Sequence, residues 1–561
     1  MTKFLNSKWA VFCLLVVIVL AVFGRAIWFD YVQFDEGIPL INNRFFISDI
    51  SNFLEVFKHD INYPSAVAPY YRPIFILSFM LNSQLGSSPL AYHLGNILFH
   101  ILVVIMLFWF LSELGVKKSV SILSSVLFAV HPAVIPVVVW IPGRTEAILA
   151  IFVLLSLVFF IKFLKTAHWY YLIGVFLSFG IAIFTKETTV ALLPILFFYY
   201  LMHRNEKGSE MLVTVSSGLV LIIVAWFFIR KSIITQINDL SFFEMLNVLW
   251  SNSSAAILYL GKTLLPFNLT GLPVLENSLF IYGFITLTVL VLYWIFAKIK
   301  LISLGTLGLI WFVALLAPSL VSYNMPDNMI FFEYRLYLPL MGILIFFASS
   351  DLIQKLDFKK LKVLVPGLVV IVLFSSLSFI YSSAYKDKMS FWQKAVADSP
   401  SSSDAHNGLA TAYLMDGKLE EAEAEFIKTT EINPKEKRVH LLLGLYYLDQ
   451  EIYDKAKTEF EKEIEIDPKS FVAYHSLGRI YGQNKNLKEA EVNFLKAFEI
   501  NPDYILVHQD LAVLYFVQNK HPQAIAHIKE LLKRQTAETL HPQILKIIEI
   551  YAKETALQKS L

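Results

Sequence analysis

The chain has 561 residues and 64.2 kDa, is 56% apolar and 15% aromatic, and has a mean hydropathy of +0.59. This exceeds the roughly 45–50% apolar content of soluble domains and excludes a simple soluble enzyme, a disordered chain and a small disulfide scaffold. A net charge of +2 argues against a nucleic-acid partner, and a single cysteine, Cys13, excludes an intrachain disulfide and a multi-cysteine zinc site.

Charge divides the chain in two. Residues 1–385 hold 24 Lys and Arg and 18 Asp and Glu, whereas the much shorter stretch 386–561 holds 23 and 27. The expected organisation is a membrane domain over 1–385 and a soluble domain over 386–561.

A bilayer core takes about 20 apolar residues of helix. Eleven candidate spans are read in chain order: 9–28, 90–112, 119–139, 145–164, 169–185, 188–203, 211–229, 279–297, 302–322, 335–350 and 362–382. With the N-terminus in the cytoplasm, every cytoplasmic loop is basic: Lys117 and Lys118, Lys162 and Lys165, Arg204 and Lys207, Lys298 and Lys300, then Lys355, Lys359, Lys360 and Lys362. An odd span number puts the soluble domain on the outer face. That face carries long segments at 29–89 and 230–278, and isolated cations near span ends: Arg44, Arg72, Arg144, Arg230, Arg335, Lys186, Lys231 and Lys262. Each alone reads as a snorkelling or locally paired side chain. Together they point to an anionic ligand at the outer leaflet, since arginine grips phosphate with a planar fork.

Candidate chemistry lies on the same face. Asp35 and Glu36 begin the first outer segment; the plain reading is a solvated or helix-capping pair, and the functional one is a general base beside an outer-leaflet ligand. Asp35 is the candidate base and Glu36 the candidate to hold the acceptor, a metal or a further cation. His93, Asn96 and His100 share one helical face, for which interhelical hydrogen bonding is the simpler account of the last two. His131-Pro132, Gly143-Arg144, Lys186-Glu187 and Glu333-Tyr334-Arg335 complete the clusters. Arg144 with Glu146, Lys186 with Glu187 and Arg335 with Glu333 are expected as local ion pairs if these clusters are structural.

The soluble domain repeats every 34 residues. Pro400, Pro434, Pro468 and Pro502 are in register with Leu409, Leu443, Leu477 and Leu511, with Tyr413, Tyr447, Tyr481 and Tyr515, and with Ala422, Ala456, Ala490 and Ala524. This is the tetratricopeptide pattern: about four helix pairs plus a terminal helix, forming an α-solenoid whose groove suits peptide or caps the membrane domain. His406, His440 and His508 share one repeat position and read as packing residues.

These motifs in this order resemble those of the GT-C membrane glycosyltransferases. Phe34-Asp35-Glu36 is similar to the first-loop acidic motif of the protein O-mannosyltransferases. Tyr71-Arg72-Pro73, His93 to Asn96, His131-Pro132, Gly143-Arg144, Lys186-Glu187 and Tyr337 to Pro339 resemble the transmembrane O-mannosyltransferases that end in tetratricopeptide repeats. Two features depart from that branch: the repeat array is short, and the first-loop acids are Asp-Glu rather than paired aspartates. The resemblance implies an all-α, polytopic, GT-C-like bundle of about eleven spans followed by the repeats. It implies transfer of a monosaccharide, with inversion, from a polyprenyl-phosphate donor to Ser or Thr hydroxyls of proteins on the extracytoplasmic face. Asp35 and Glu36 would be catalytic; Arg72, Arg144, Lys186 and Arg335 would hold the donor phosphate; His93, His131, Glu187 and Glu333 are further site candidates. The repeat groove would receive a protein or peptide acceptor. No metal or other cofactor is required, although a divalent ion remains compatible. A bacterial inner membrane with periplasmic repeats is expected, or the endoplasmic reticulum with luminal repeats in a eukaryote. The alternatives are a lipid or polysaccharide acceptor, or a non-catalytic scaffold.

Overall fold

A computed structural model describes residues 7–34, 37–63, 70–203, 208–234, 241–269, 271–273, 278–321, 331–358, 360–436, 438–534 and 542–560. Asp35 and Glu36 lie outside the described residues, as do Arg204, Lys207 and Lys359. Among the described residues all regular structure is helical. The chain forms two compact units, Met1–Ser401 and Ser402–Leu561, so the division falls later than the change in charge density at residue 385. The difference is the helix Lys388–Asp398, whose Phe391 packs on Phe34 and Tyr385 of the first unit.

In the first unit every expected span falls on helix, but the count of eleven is not reproduced by helix length. Among the described residues five helices are long and apolar enough to cross a membrane: Lys8–Trp28, Pro89–Glu113, Ile141–Thr166, Glu210–Ile233 and Leu361–Tyr385. A sixth forms if Lys118–Val130 and Pro132–Val139, bent by 55°, act as one. The break has a local cause: Pro132 lacks an N–H and holds His131 extended, at φ −66° and ψ 130°. Trp169–Thr185, Glu187–Met202, Phe280–Phe296, Leu304–Leu320 and Tyr337–Ala348 are shorter. At about 1.5 Å per residue, such helices fall short of a roughly 30 Å hydrocarbon core. Two further helices, Pro73–Ser83 and Ser253–Leu264, lie within the long segments read as outer loops.

Helix ends gather at two places. At one, Lys162 pairs with Glu113 at 3.6 Å, Lys165 Nζ donates to the Glu113 carbonyl at 2.9 Å, and the Lys117 amide donates to Gln354 Oε1 at 2.9 Å. These are the lysine-bearing turns. At the other, residues 29–34 meet 140, 331–335 and 385–392. The helices between are tightly packed where glycine permits. Gly308 and Gly342 face each other across Leu304–Leu320 and Tyr337–Ala348, and a Cβ on either would strike the other's carbonyl.

The second unit is a run of helix pairs: Ser403–Met415 with Leu419–Ile432, Val439–Asp449 with Tyr453–Ile466, Phe471–Gln483 with Leu487–Ile500, and Ile505–Val517 with His521–Arg534. Pro542–Ser560 follows. A Cβ at Gly444 or Gly478 would enter the ring of Phe460 or Phe494, which explains the small residue at that register. The repeat histidines are buried and bonded within their pairs: His440 Nδ1 to Glu459 at 2.6 Å and His406 Nδ1 to Glu425 at 2.5 Å.

Candidate active site

The site is built around residues 29–34, an irregular segment that follows the first helix and includes left-handed Gln33 at φ 57°. Phe34 is held twice by Trp140: the indole Nε1–H donates to the Phe34 carbonyl at 3.0 Å, and the rings stack with centroids 5.6 Å apart. Phe391 stacks on Phe34 at 5.6 Å, and Phe332 lies at 5.9 Å. Phe34, Trp140, Phe332, Glu333, Tyr334, Tyr385 and Phe391 thus line one aromatic pocket.

Three of the four predicted phosphate ligands surround Tyr334. The Tyr71-Arg72-Pro73 motif explains Arg72: Pro73 occupies the first position of helix Pro73–Ser83, Tyr71 is buried with its hydroxyl donating to the Phe57 carbonyl at 2.8 Å, and Arg72 projects between them. Arg72 contacts Glu187 at 2.7 Å and lies near Tyr334. Lys186 pairs with buried Glu146 and lies 5.8 Å from the Tyr334 ring centroid. Arg335 donates to the Ser319 carbonyl at 2.9 Å, and its guanidinium lies 6.0 Å from the Tyr334 ring centroid.

The expected local ion pairs are replaced by long-range ones. Lys186 is paired with Glu146 and Glu187 with Arg72, because Lys186 is extended (φ −161°, ψ 137°) and neighbouring side chains on extended backbone point apart. Glu333 is buried against Lys262. Lys262 was legible as an outer-face cation, but its partner, 71 residues away, was not. Around Tyr334, then, four cations meet three carboxylates. Arg335 has no carboxylate partner among the described residues.

Arg144 is placed differently. It is fully buried, and its guanidinium donates to Asn96 Oδ1 at 2.8 Å, to the Tyr92 carbonyl at 2.6 Å, to Asn82 Oδ1 at 2.5 Å and to the Ser78 carbonyl at 3.4 Å. Asn96 in turn donates to the Trp140 carbonyl at 2.9 Å. With its donors committed to neutral oxygens inside the fold, Arg144 is a brace for the Trp140 turn, and the phosphate role expected for it finds no open approach. The glycine before it is required by contact, since a Cβ at Gly143 would strike the Pro136 carbonyl.

His131 is likewise committed: Nδ1 accepts from the Ala133 amide at 3.1 Å and Nε2 donates to the Thr263 carbonyl at 3.1 Å. His100 bonds Tyr337 at 2.7 Å and the Ala129 carbonyl at 3.1 Å, which with Asn96 is the interhelical bonding the sequence anticipates. His93 is buried beside Phe29 and the Asp30 backbone, and neither ring nitrogen has a hydrogen bond of good geometry among the described residues. Among the described residues no three His, Cys, Asp or Glu side chains converge as a metal would need. Asp35 and Glu36 stand outside that statement.

Known proteins resemble this chain in sequence. A family model for dolichyl-phosphate-mannose-protein mannosyltransferase matches residues 72–229, and tetratricopeptide models match 389–446, 437–470 and 472–504. A Caenorhabditis elegans protein O-mannosyl-transferase is 24% identical over 443 residues, covering 72% of this chain and 60% of its own. The TMTC2 protein O-mannosyl-transferase of Mus musculus is 32% identical over 26% of this chain and 18% of its own. The TMTC3 protein of Homo sapiens is 40% identical over 15% and 9%. The chain therefore spans less than two thirds of the length of these relatives. It resembles the tetratricopeptide-bearing transmembrane O-mannosyltransferases, as its motif order anticipates.

Proposed function

From a membrane unit similar to the dolichyl-phosphate-mannose-protein mannosyltransferases and joined to tetratricopeptide repeats, we propose that this chain is a polyprenyl-phosphate-sugar-dependent protein O-glycosyltransferase. It moves a hexose, mannose by the resemblance, to Ser or Thr hydroxyls on the extracytoplasmic face of a multi-pass membrane. That membrane is the inner membrane of a bacterium, or the endoplasmic reticulum if the chain is eukaryotic. The repeats supply a groove for the protein acceptor.

The observation that carries the reading is the convergence of Arg72, Lys186 and Arg335, from three segments of the chain, near Tyr334. Among the described residues Arg335 has no carboxylate partner, and its neighbour Tyr334 lines the same pocket as Phe34. A donor phosphate placed there is neutralised as the leaving group gains charge. Arg72 and Lys186 rotate from Glu187 and Glu146 to the phosphate, or share it, while Arg335 meets it directly.

The reaction is one displacement. Asp35 takes the proton of the acceptor hydroxyl as its oxygen bonds the anomeric carbon; the bond from that carbon to the phosphate oxygen breaks, and the electron pair leaves with polyprenyl phosphate. Attack opposite the leaving group inverts the anomeric centre. Glu36 orients the acceptor beside the base. Trp140, fixed by Asn96 and Arg144, holds the peptide that precedes Asp35. No metal is needed for this sequence of bonds.

The test is sugar transfer in reconstituted vesicles from mannosyl-phosphoryl polyprenol to a Ser- and Thr-rich peptide. Arg335→Gln is expected to raise the donor KM. Asp35→Asn is expected to lower kcat by roughly 100-fold or more, the scale of a lost general base.

A further inference from the structure

We propose that Phe391 is a positioning residue for the transfer reaction: a side chain of the helix that leads into the repeats, holding Phe34 and, through it, the base that follows Phe34 in the chain. This rests on the glycosyltransferase reading above and on Asp35 as its base.

The helix Lys388–Asp398 has the sequence of a repeat helix. Trp392, Ala395 and Pro400 stand 34 residues before Phe426, Thr429 and Pro434, and a tetratricopeptide match begins at residue 389. In the first two repeats the second helix of the pair buries Ala422, Phe426 and Thr429, or Ala456, Phe460 and Glu463. Lys388–Asp398 buries Phe391, Trp392 and Ala395. The chain before it, however, is the last span, Leu361–Tyr385, and not the first helix of a repeat. Its buried face is turned to the membrane unit instead. Phe391 is where the change shows. It stands at the register of Glu425 and Glu459, which bond His406 and His440 of their own pairs. Here that position carries a ring, 1% exposed, and the ring stacks on Phe34.

The segment before Asp35 needs such a hold. Gln33 is left-handed at φ 57°, a conformation that costs a residue with a side chain and persists where the surroundings fix it. Four rings surround the next residue, Phe34. Trp140 and Phe332 come from the body of the membrane unit. Phe391 and Trp392 come from the repeat-like helix, the first nearly parallel at 5.6 Å and the second edge-on at 5.7 Å. Phe391 has no room to retreat. Tyr385 lies against it at 5.3 Å, and a Cβ at Gly271 would stand 2.5 Å from its ring. The helix is pinned at both ends. The Lys386 carbonyl accepts from the Asp30 amide at 2.8 Å, and the Ser399 hydroxyl donates to the Leu272 carbonyl at 2.7 Å. Without the Phe391 ring, Phe34 is free to turn away from Trp140. A displacement of about 1 Å at a reacting group costs up to roughly 100-fold in rate.

The experiment is single-turnover transfer from mannosyl-phosphoryl polyprenol to peptide by the full chain in vesicles, with donor affinity and thermal midpoint measured on the same proteins. Phe391→Leu keeps an apolar side chain and removes the ring plane. It is expected to slow transfer by about tenfold or more at unchanged donor affinity. Gly271→Ala displaces the same ring without altering it and is expected to do the same, so the role is read even where one of the two variants does not fold. In an Asp35→Asn background, Phe391→Leu is expected to add no further slowing, because the group it positions is gone. Unchanged transfer in a folded Phe391→Leu protein overturns the positioning role and leaves the enzyme reading intact. So does a second, full slowing in the Asp35→Asn background, or a loss of donor affinity in step with the rate. A wild type that transfers no sugar overturns the enzyme reading, and the role of Phe391 with it.

Discussion

The backbone amide of Asp30 donates to the carbonyl of Lys386 at 2.8 Å. Five residues earlier, Arg25 reaches the Phe379 carbonyl and the Ser383 hydroxyl, the latter at 2.8 Å. The first helix, Lys8–Trp28, and the last, Leu361–Tyr385, therefore end together and run parallel. If both of these helices cross a membrane, they cross it in the same direction, and the number of crossings from the first to the last is odd.

The expected consequence is that residues after Lys386 emerge on the face where residues 29–34 emerge, and that the lysine turns lie on the other. Single cysteines at Lys58, Lys165 and Glu499, in a Cys13→Ser background, are to be labelled with a membrane-impermeant maleimide in sealed right-side-out vesicles. Lys58→Cys and Glu499→Cys should label together, and Lys165→Cys only after permeabilisation. Labelling of Lys58→Cys without Glu499→Cys would contradict the parallel arrangement.

Arg144 and Arg335 are expected to fail in different ways. Replacing Arg144 by Gln strands buried oxygens of Asn96, Asn82 and Tyr92, at a cost of about 3 kcal/mol or more. The thermal midpoint in detergent should fall, and activity with it. Arg335→Gln should keep the midpoint within a few degrees and lose donor affinity. A stable, active Arg144→Gln protein would show that the guanidinium braces nothing.

The fourth repeat has a histidine where the first two carry glutamate. His527 stands 3.0 Å from His508, at the place taken by Glu425 and Glu459 opposite His406 and His440. Burial first, and then the neighbouring His508, pull the His527 imidazole down to about 4. Its folded value lies below the roughly 6.5 of an unfolded histidine, so the unfolded chain binds more protons between pH 6.5 and 4. Stability is complete above that window and falls as pH drops through it, by at most about 2 kcal/mol for a partly exposed group. Helical signal followed on heating at pH 7 and pH 5 should show the loss, and His527→Glu should reduce it.

The turns between paired helices repeat a left-handed residue every 34 positions: Gly417 at φ 73°, Glu451 at 60°, Lys485 at 59° and Asn519 at 59°. Only the first is glycine. Glu451→Gly is expected to stabilise the second unit by about 0.5–1 kcal/mol, seen as a higher thermal midpoint of its transition. An unchanged or lower midpoint would place the cost of that backbone elsewhere.

Helix positions were legible because hydropathy and the 34-residue register are local properties of sequence. Span number was not, since Trp169–Thr185 and Phe280–Phe296 carry the same composition as longer spans and only their ends differ. The site was legible as residue types but not as pairs. Lys186 and Glu187 are adjacent and read as partners, yet extended backbone sends them to Glu146 and Arg72. Arg144 looked like its fellow arginines because nothing local shows that Asn82 and Asn96 enclose it. Tyr334 entered only as a member of the Glu333-Tyr334-Arg335 cluster, because Arg72 and Lys186 reach it from distant segments.

The most direct measurement is single-turnover transfer of mannose from mannosyl-phosphoryl polyprenol to peptide by the reconstituted chain, comparing wild type with Asp35→Asn at equal donor occupancy. The wild type should glycosylate the peptide with inversion, and Asp35→Asn should bind the donor yet transfer at least about 100-fold more slowly. Equal transfer rates in the two proteins, or a wild type that binds the donor and never releases polyprenyl phosphate, would contradict a base-assisted glycosyl transfer at this site.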